Sequence, residues 1–165
     1  MAAFLSRIEQ LPFSMWVLQG PYSTILFMHG IGMAIVAGFA AVIALRLLGL
    51  SPKIPIKPLE QLYPWIWWGF AINAITGTSL LMGDATTKGM NPDFWVKMAF
   101  VFSGIMVLKI MRKKVFGDPQ LDVGPLPRSA KGLAWLSLVC WIGAITAGRL
   151  LAYVGPVSGL PGLKN

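Results

Sequence analysis

His29 is the only histidine among the 165 residues, and it sits inside a long apolar run. A neutral imidazole there suits three chemistries: an axial ligand to a tetrapyrrole (haem b or chlorophyll), a ligand to copper, or a hydrogen bond to a quinone. Lys97 and Arg149 carry the charge needed to hold haem propionates or another anion. Met33 follows His29 by four residues and shares its helical face, while Met82 and Met98 fall at similar depth. His/Met haem ligation and a soft Cu(I) site therefore belong among the options. A haem held by two histidines of this chain is excluded by count.

Counting inward from the end of each apolar run, at about 1.5 Å per residue, puts these groups in one layer. His29 lies a turn or two inside the first run, and Asp84 closes the second. Lys97 lies a turn into the third, and Arg149 a turn before the end of the fourth. Asn73 and Thr76, on the polar face of the second run, complete a polar cluster with Asp84. Charge at membrane depth is costly and commonly marks a site, so Asp84 is expected within hydrogen-bond range of Lys97 or Arg149.

Each residue also has a purely structural reading. His29 can hydrogen-bond across helices, and methionine is common apolar filler. Lys97 follows Asp93 by four residues and can pair along its own helix. Arg149 can snorkel to headgroups. No catalytic residue is assigned: a lone histidine without a nucleophile motif or a carboxylate cluster is thin support for an enzyme.

The elements that must position these groups are four apolar stretches, roughly 22–48, 65–83, 94–111 and 131–154. Each is long enough to cross a bilayer, where only self-satisfied backbone is stable. The chain is 56% hydrophobic and 12% charged, far below the roughly 25% charge of soluble domains. The fold class that follows is all-α: an integral membrane four-helix bundle, one transmembrane domain over 1–165. Phe4, Leu5, Ile8 and Leu11 share a face before Pro12, which predicts a short N-terminal interfacial helix. The N-terminus lacks the pattern of a cleaved signal, so the first span is expected to direct insertion and to stay.

Gly30, Ala34 and Gly38 recur every four residues and predict a close helix contact. Pro52, Pro55 and Pro58 predict an extended first connection. Trp65, Trp67 and Trp68 form an aromatic belt at the start of the second span, whose inward face carries Gly69, Asn73, Thr76, Gly77 and Leu80. Asn91-Pro92-Asp93 opens the third helix with a cap, an N1 proline and an early acid. Ser137, Cys140, Ala144 and Ala147 form a small face on the fourth, which Gly155-Pro156 should end. Residues 115–130 should be irregular.

The net charge is +8. Its basic residues cluster at helix ends and in loops, which points to membrane lipids and excludes nucleic acid. Nine of the 14 basic residues fall on the side of the first and third connections. That side is therefore expected in the cytoplasm, with both termini outside.

In His29-Gly30, Leu45-Arg46-Leu47-Leu48-Gly49, Pro64-Trp65, Gly69-Phe70-Ala71, Thr76-Gly77, Asp84-Ala85, Asn91-Pro92-Asp93-Phe94 and Lys97-Met98, the chain resembles a group of small bacterial four-helix inner-membrane proteins of uncharacterised function. The resemblance covers most of the first three spans. It implies a multi-pass protein of the bacterial cytoplasmic membrane and no particular activity.

Two functions of different class compete. One is a non-catalytic subunit or anchor of a larger membrane redox or photosynthetic complex, touching a haem, chlorophyll or quinone through His29 and binding other membrane subunits. The other is an independent small transporter or sensor built on the outer polar layer. The absence of repeats or broken helices favours the subunit.

Overall fold

The computed structural model describes residues 2–119, 121 and 126–151. These are helical, with no strand among the described residues. Seven α-helices follow in order: α1 (Ala2–Glu9), α2 (Pro12–Gln19), α3 (Tyr22–Leu47), α4 (Tyr63–Gly83), α5 (Ala85–Met90), α6 (Pro92–Met111) and α7 (Arg128–Leu150). A 3₁₀ turn at Lys57–Leu62 leads into α4, and a π turn at Arg112–Phe116 prolongs α6.

The four long helices coincide with the four apolar stretches. Three of them are long and apolar enough to cross a membrane: α3, α6 with its π turn, and α7. The fourth, α4, has 21 residues, so it is about 32 Å long. Its tryptophans, Asn73, Thr76, Thr78 and Ser79 interrupt its apolar run. The expected end of the last span at Gly155-Pro156 lies outside the described residues.

Local chemistry accounts for the ends. Asn91 caps α6 by accepting a hydrogen bond from the Asp93 N–H at 2.9 Å, with Pro92 at N1. The irregular stretch begins later than expected, because the π turn carries helical structure to Phe116. The first connection is likewise tighter than an extended run. Gly49 and Ser51 take positive φ, and Arg46 folds back from the end of α3 to donate to the carbonyls of Ile54 and Pro52.

α3 packs between α4 and α7, and α7 packs between α3 and α6. The backbones of α4 and α6 stay apart. The core fills one end of this arrangement. It unites Ala40, Ile43 and Leu47 of α3, Tyr63 and Ile66 of α4, Leu108 and Met111 of α6, and Ala130 and Ala134 of α7. Tyr63 is fully buried and spans the α4–α6 gap by donating its hydroxyl to the Leu108 carbonyl at 3.3 Å. Large apolar side chains such as Phe27, Ile75, Phe102, Trp135 and Ile142 face outward, as a lipid environment requires.

The close α3–α4 contact is made by glycines other than those expected. A Cβ on Gly32 would lie 2.8 Å from the Gly69 carbonyl oxygen and 2.9 Å from the Asn73 nitrogen. Gly30 and Gly38 have nothing within 4 Å of such a Cβ, and Ala34 is exposed. The four-residue period is right, but the packed register is Gly32, Val36 and Ala40, two residues away. Two residues are about 200° around a helix, so the expected stripe faces outward. The faces expected on the other helices do turn inward: Gly69 and Leu80 on α4, and Ser137, Cys140, Ala144 and Ala147 on α7, are buried.

At the other end, the N-terminus forms two short helices that meet at Pro12. Ser14, fully buried, donates to the Ile8 carbonyl at 2.6 Å and ties α2 to α1. Val17 is buried, and Leu18 and Leu5 lie against Gly83 and Gly89. The Glu9 carboxylate accepts from the Thr86 N–H at 2.6 Å at the start of α5. The pair is thus docked on α4 and α5.

Candidate functional site

The polar residues of the half opposite the core converge between the helices. From α3, His29 presents Nδ1 3.1 Å from the Thr76 hydroxyl of α4. That hydroxyl donates to the Ile72 carbonyl, one turn back, at 2.6 Å. With its proton committed there, Thr76 accepts from His29. The network therefore assigns the proton to Nδ1 and leaves the Nε2 lone pair free to accept. Asn73 donates from Nδ2 to the His29 carbonyl at 2.9 Å, so α4 holds both the ring and the backbone of this residue.

Gly77 makes room for the ring: a Cβ there would stand 2.9 Å from His29 Cε1. The imidazole is thus clamped in one tautomer and orientation, as a ligating or proton-handling histidine needs. Nε2 points to Lys97 of α6, whose ammonium lies 3.4 Å away and donates to it. The stem of Lys97 runs past Gly148 of α7. All four long helices therefore contribute, and of the four residues that depth counting set in one layer, His29 and Lys97 meet here.

Asp84 has a different ion-pair partner. Asp84 lies 3.9 Å from the ammonium of Lys88, its neighbour four residues on, so the expected approach to Lys97 is not what its ion pair shows. Lys88 also donates to the Leu80 carbonyl at 3.1 Å, closing the α4–α5 corner. Burial holds the Lys88 ammonium below the ordinary lysine range, and Asp84 opposes that shift. Arg149 is exposed. The local pair at Asp84 forms because a short helix begins there and places Lys88 one turn away. Gly148, which accommodates the Lys97 stem, carries no sequence signal beyond its size.

The ion pairs Asp84–Lys88 and Glu60–Arg112 leave out Lys97. The cluster thus joins a lone-pair acceptor, His29 Nε2, to a cationic donor, Lys97 Nζ, about five residues or 7–8 Å along α6 from Pro92. A group that both donates and accepts, such as a hydroxyl, can bridge such a pair. No family model, curated protein or solved structure matches this chain.

Proposed function

We propose that this chain is a non-catalytic subunit of a larger bacterial membrane redox complex, with α4 as the fourth span, and that His29 and Lys97 together contact a quinone-type headgroup. The observation that carries the reading is the Lys97 ammonium. It lies within an apolar helix against a neutral imidazole, and no carboxylate of the described residues pairs with it. A cation at the centre of a spanning helix costs about 2.5–3.5 kcal/mol on insertion scales, and less a turn from its end as here, so an intramembrane lysine is a marker of a bound group.

A quinol hydroxyl donates to Nε2 and accepts from the ammonium, and the oxidised carbonyl accepts from the ammonium alone. Haem or chlorophyll ligation by Nε2 is the second form of the same proposal, and it requires Lys97 to swing aside.

The subunit role is supported by the outward stripe of Gly30, Ala34 and Gly38. A small-residue face of this period is how one membrane helix meets another, and its counterpart is not in α4 or α7. The exposed Trp65, Trp68, Trp95 and Trp135 add anchors for lipid or a partner. In this reading the basic connections face the cytoplasm and α1 and α2 lie outside. The test is gentle extraction followed by analysis of bound subunits, visible absorbance and extracted quinone. The proposal expects a stoichiometric partner, and quinone or pigment lost in His29→Ala. A colourless, stable monomer that transports a solute in liposomes refutes it.

A further inference from the structure

We infer that the opposite end of the molecule holds a binding site for the phosphate of an anionic phospholipid headgroup, between α4 and the end of α6. An open pocket of about 450 Å³ lies there. Lys109, Arg112 and Lys113 line one side of it, and Tyr63 and Trp67 the other, with Glu60 at the edge. Three cations against one carboxylate give the pocket a formal balance of +2.

The cations are organised, not merely abundant. Lys109, Arg112 and Lys113 are spaced i, i+3 and i+4, which sets them on one helical face. The Lys109 ammonium stands 5.8 Å from the centre of the Trp67 ring, and the Arg112 guanidinium 5.5 Å from that of Tyr63. Such cation–π contacts hold long side chains in place without neutralising them. The π turn contributes directly. It buries Val115 and Phe116 while Arg112 and Lys113 stay exposed, and the Gly117 N–H closes it on the Arg112 carbonyl at 3.1 Å. π turns of this sort recur at functional sites.

Glu60 meets Arg112 at 3.3 Å, but both are substantially exposed, so the pair is weak. A phosphate offers Arg112 a charge-assisted, two-pronged partner of higher charge. Trp67, one turn further into α4 than Tyr63, continues the lining toward the apolar part of that helix. A phosphate at the rim would thus have acyl chains running along Trp67 and the apolar helix faces. Basic pockets between membrane helices with that geometry are characteristic sites for lipid headgroups. A free phosphate would use the cations but not the apolar continuation.

The experiment uses the full chain in detergent, titrated with phosphatidylglycerol or with phosphatidylcholine of the same acyl chains, and bound lipid is counted by native mass spectrometry. Phosphatidylglycerol should bind at least ~10-fold more tightly. The variant Lys109→Gln/Arg112→Gln/Lys113→Gln should lose that preference. Lys53→Gln/Lys57→Gln/Lys131→Gln, which removes equal charge away from the pocket, should keep it. Glu60→Gln should tighten binding about fivefold, which tests the site without removing a cation. Equal affinity for the two lipids overturns the proposal, as does an equal loss in the charge-matched control. Displacement of the lipid by millimolar inorganic phosphate assigns the pocket to a free anion and overturns the lipid reading.

Discussion

Gly32→Ala should separate α3 from α4 and disturb the histidine at the same time. The added Cβ would sit 2.8 Å from the Gly69 oxygen and 2.9 Å from the Asn73 nitrogen. Both are backbone atoms and cannot rotate away. Ordinary contacts begin near 3.5 Å, so the two helices must part by roughly half an ångström. Overpacking of this kind costs about 1–3 kcal/mol. The Asn73–His29 hydrogen bond, 2.9 Å long, stretches with it, and bonds between membrane helices average about 0.6 kcal/mol. Alanine returns about 0.8–1 kcal/mol of helix propensity.

Gly30→Ala shares that propensity gain and meets nothing within 4 Å, so it is the matched control. The two variants should differ by about 2–3 kcal/mol. Unfolding in mixed micelles of rising dodecyl sulfate fraction, followed by far-UV circular dichroism, reads this difference. Equal midpoints for the two variants would show that the Gly32 contact does not set the α3–α4 distance.

Thr76→Val removes the acceptor for His29 Nδ1. Nitrogen NMR of labelled histidine should show the Nδ1–H tautomer in the natural chain and a shift toward Nε2–H in the variant; an Nε2–H signal from the natural chain contradicts the assigned network. Lys88 titrates below its unfolded value because of burial, so the folded state releases its proton first. Stability should therefore rise as pH climbs through that window toward the ordinary lysine value, and Lys88→Met should flatten the rise. Gly30→Leu together with Gly38→Leu should leave the isolated chain folded but abolish copurification of a partner; retained partner binding removes that stripe from the interface. In a Cys140→Ala background, an impermeant thiol reagent added outside intact cells should label Gln10→Cys and not Ser51→Cys, and the reverse pattern inverts the proposed orientation.

The long helices were legible because hydrocarbon admits so few backbone solutions. That His29 and Lys97 lie at one depth was legible because helical rise converts sequence position into depth, and Asn73 and Thr76 were legible as one face of the second span. Azimuth was harder. Gly30 and Gly32 belong to stripes of equal period, and only the partner surface, Gly69 and Asn73, decides which one packs. The Asp84–Lys88 pair was not legible, because a six-residue helix turns Lys88 toward Asp84 and nothing in Ala85–Met90 signals helix over loop. The aromatic-backed basic pocket is not legible in sequence, since Trp67 and Lys109, like Tyr63 and Arg112, are far apart in the chain and meet only between α4 and α6.

The Glu9–Thr86 hydrogen bond joins residues 77 positions apart. This has a consequence for biogenesis. When α1 and α2 leave the ribosome, the surface they will cover does not yet exist, because α4 and α5 have still to be synthesised. The N-terminal pair must wait, with the side of Val17 and Leu5 unprotected, until the second long helix is inserted and its end delivered. Docking then reports that the first helical hairpin has been threaded correctly. An N-terminus still open to protease after synthesis would mark chains in which that threading failed.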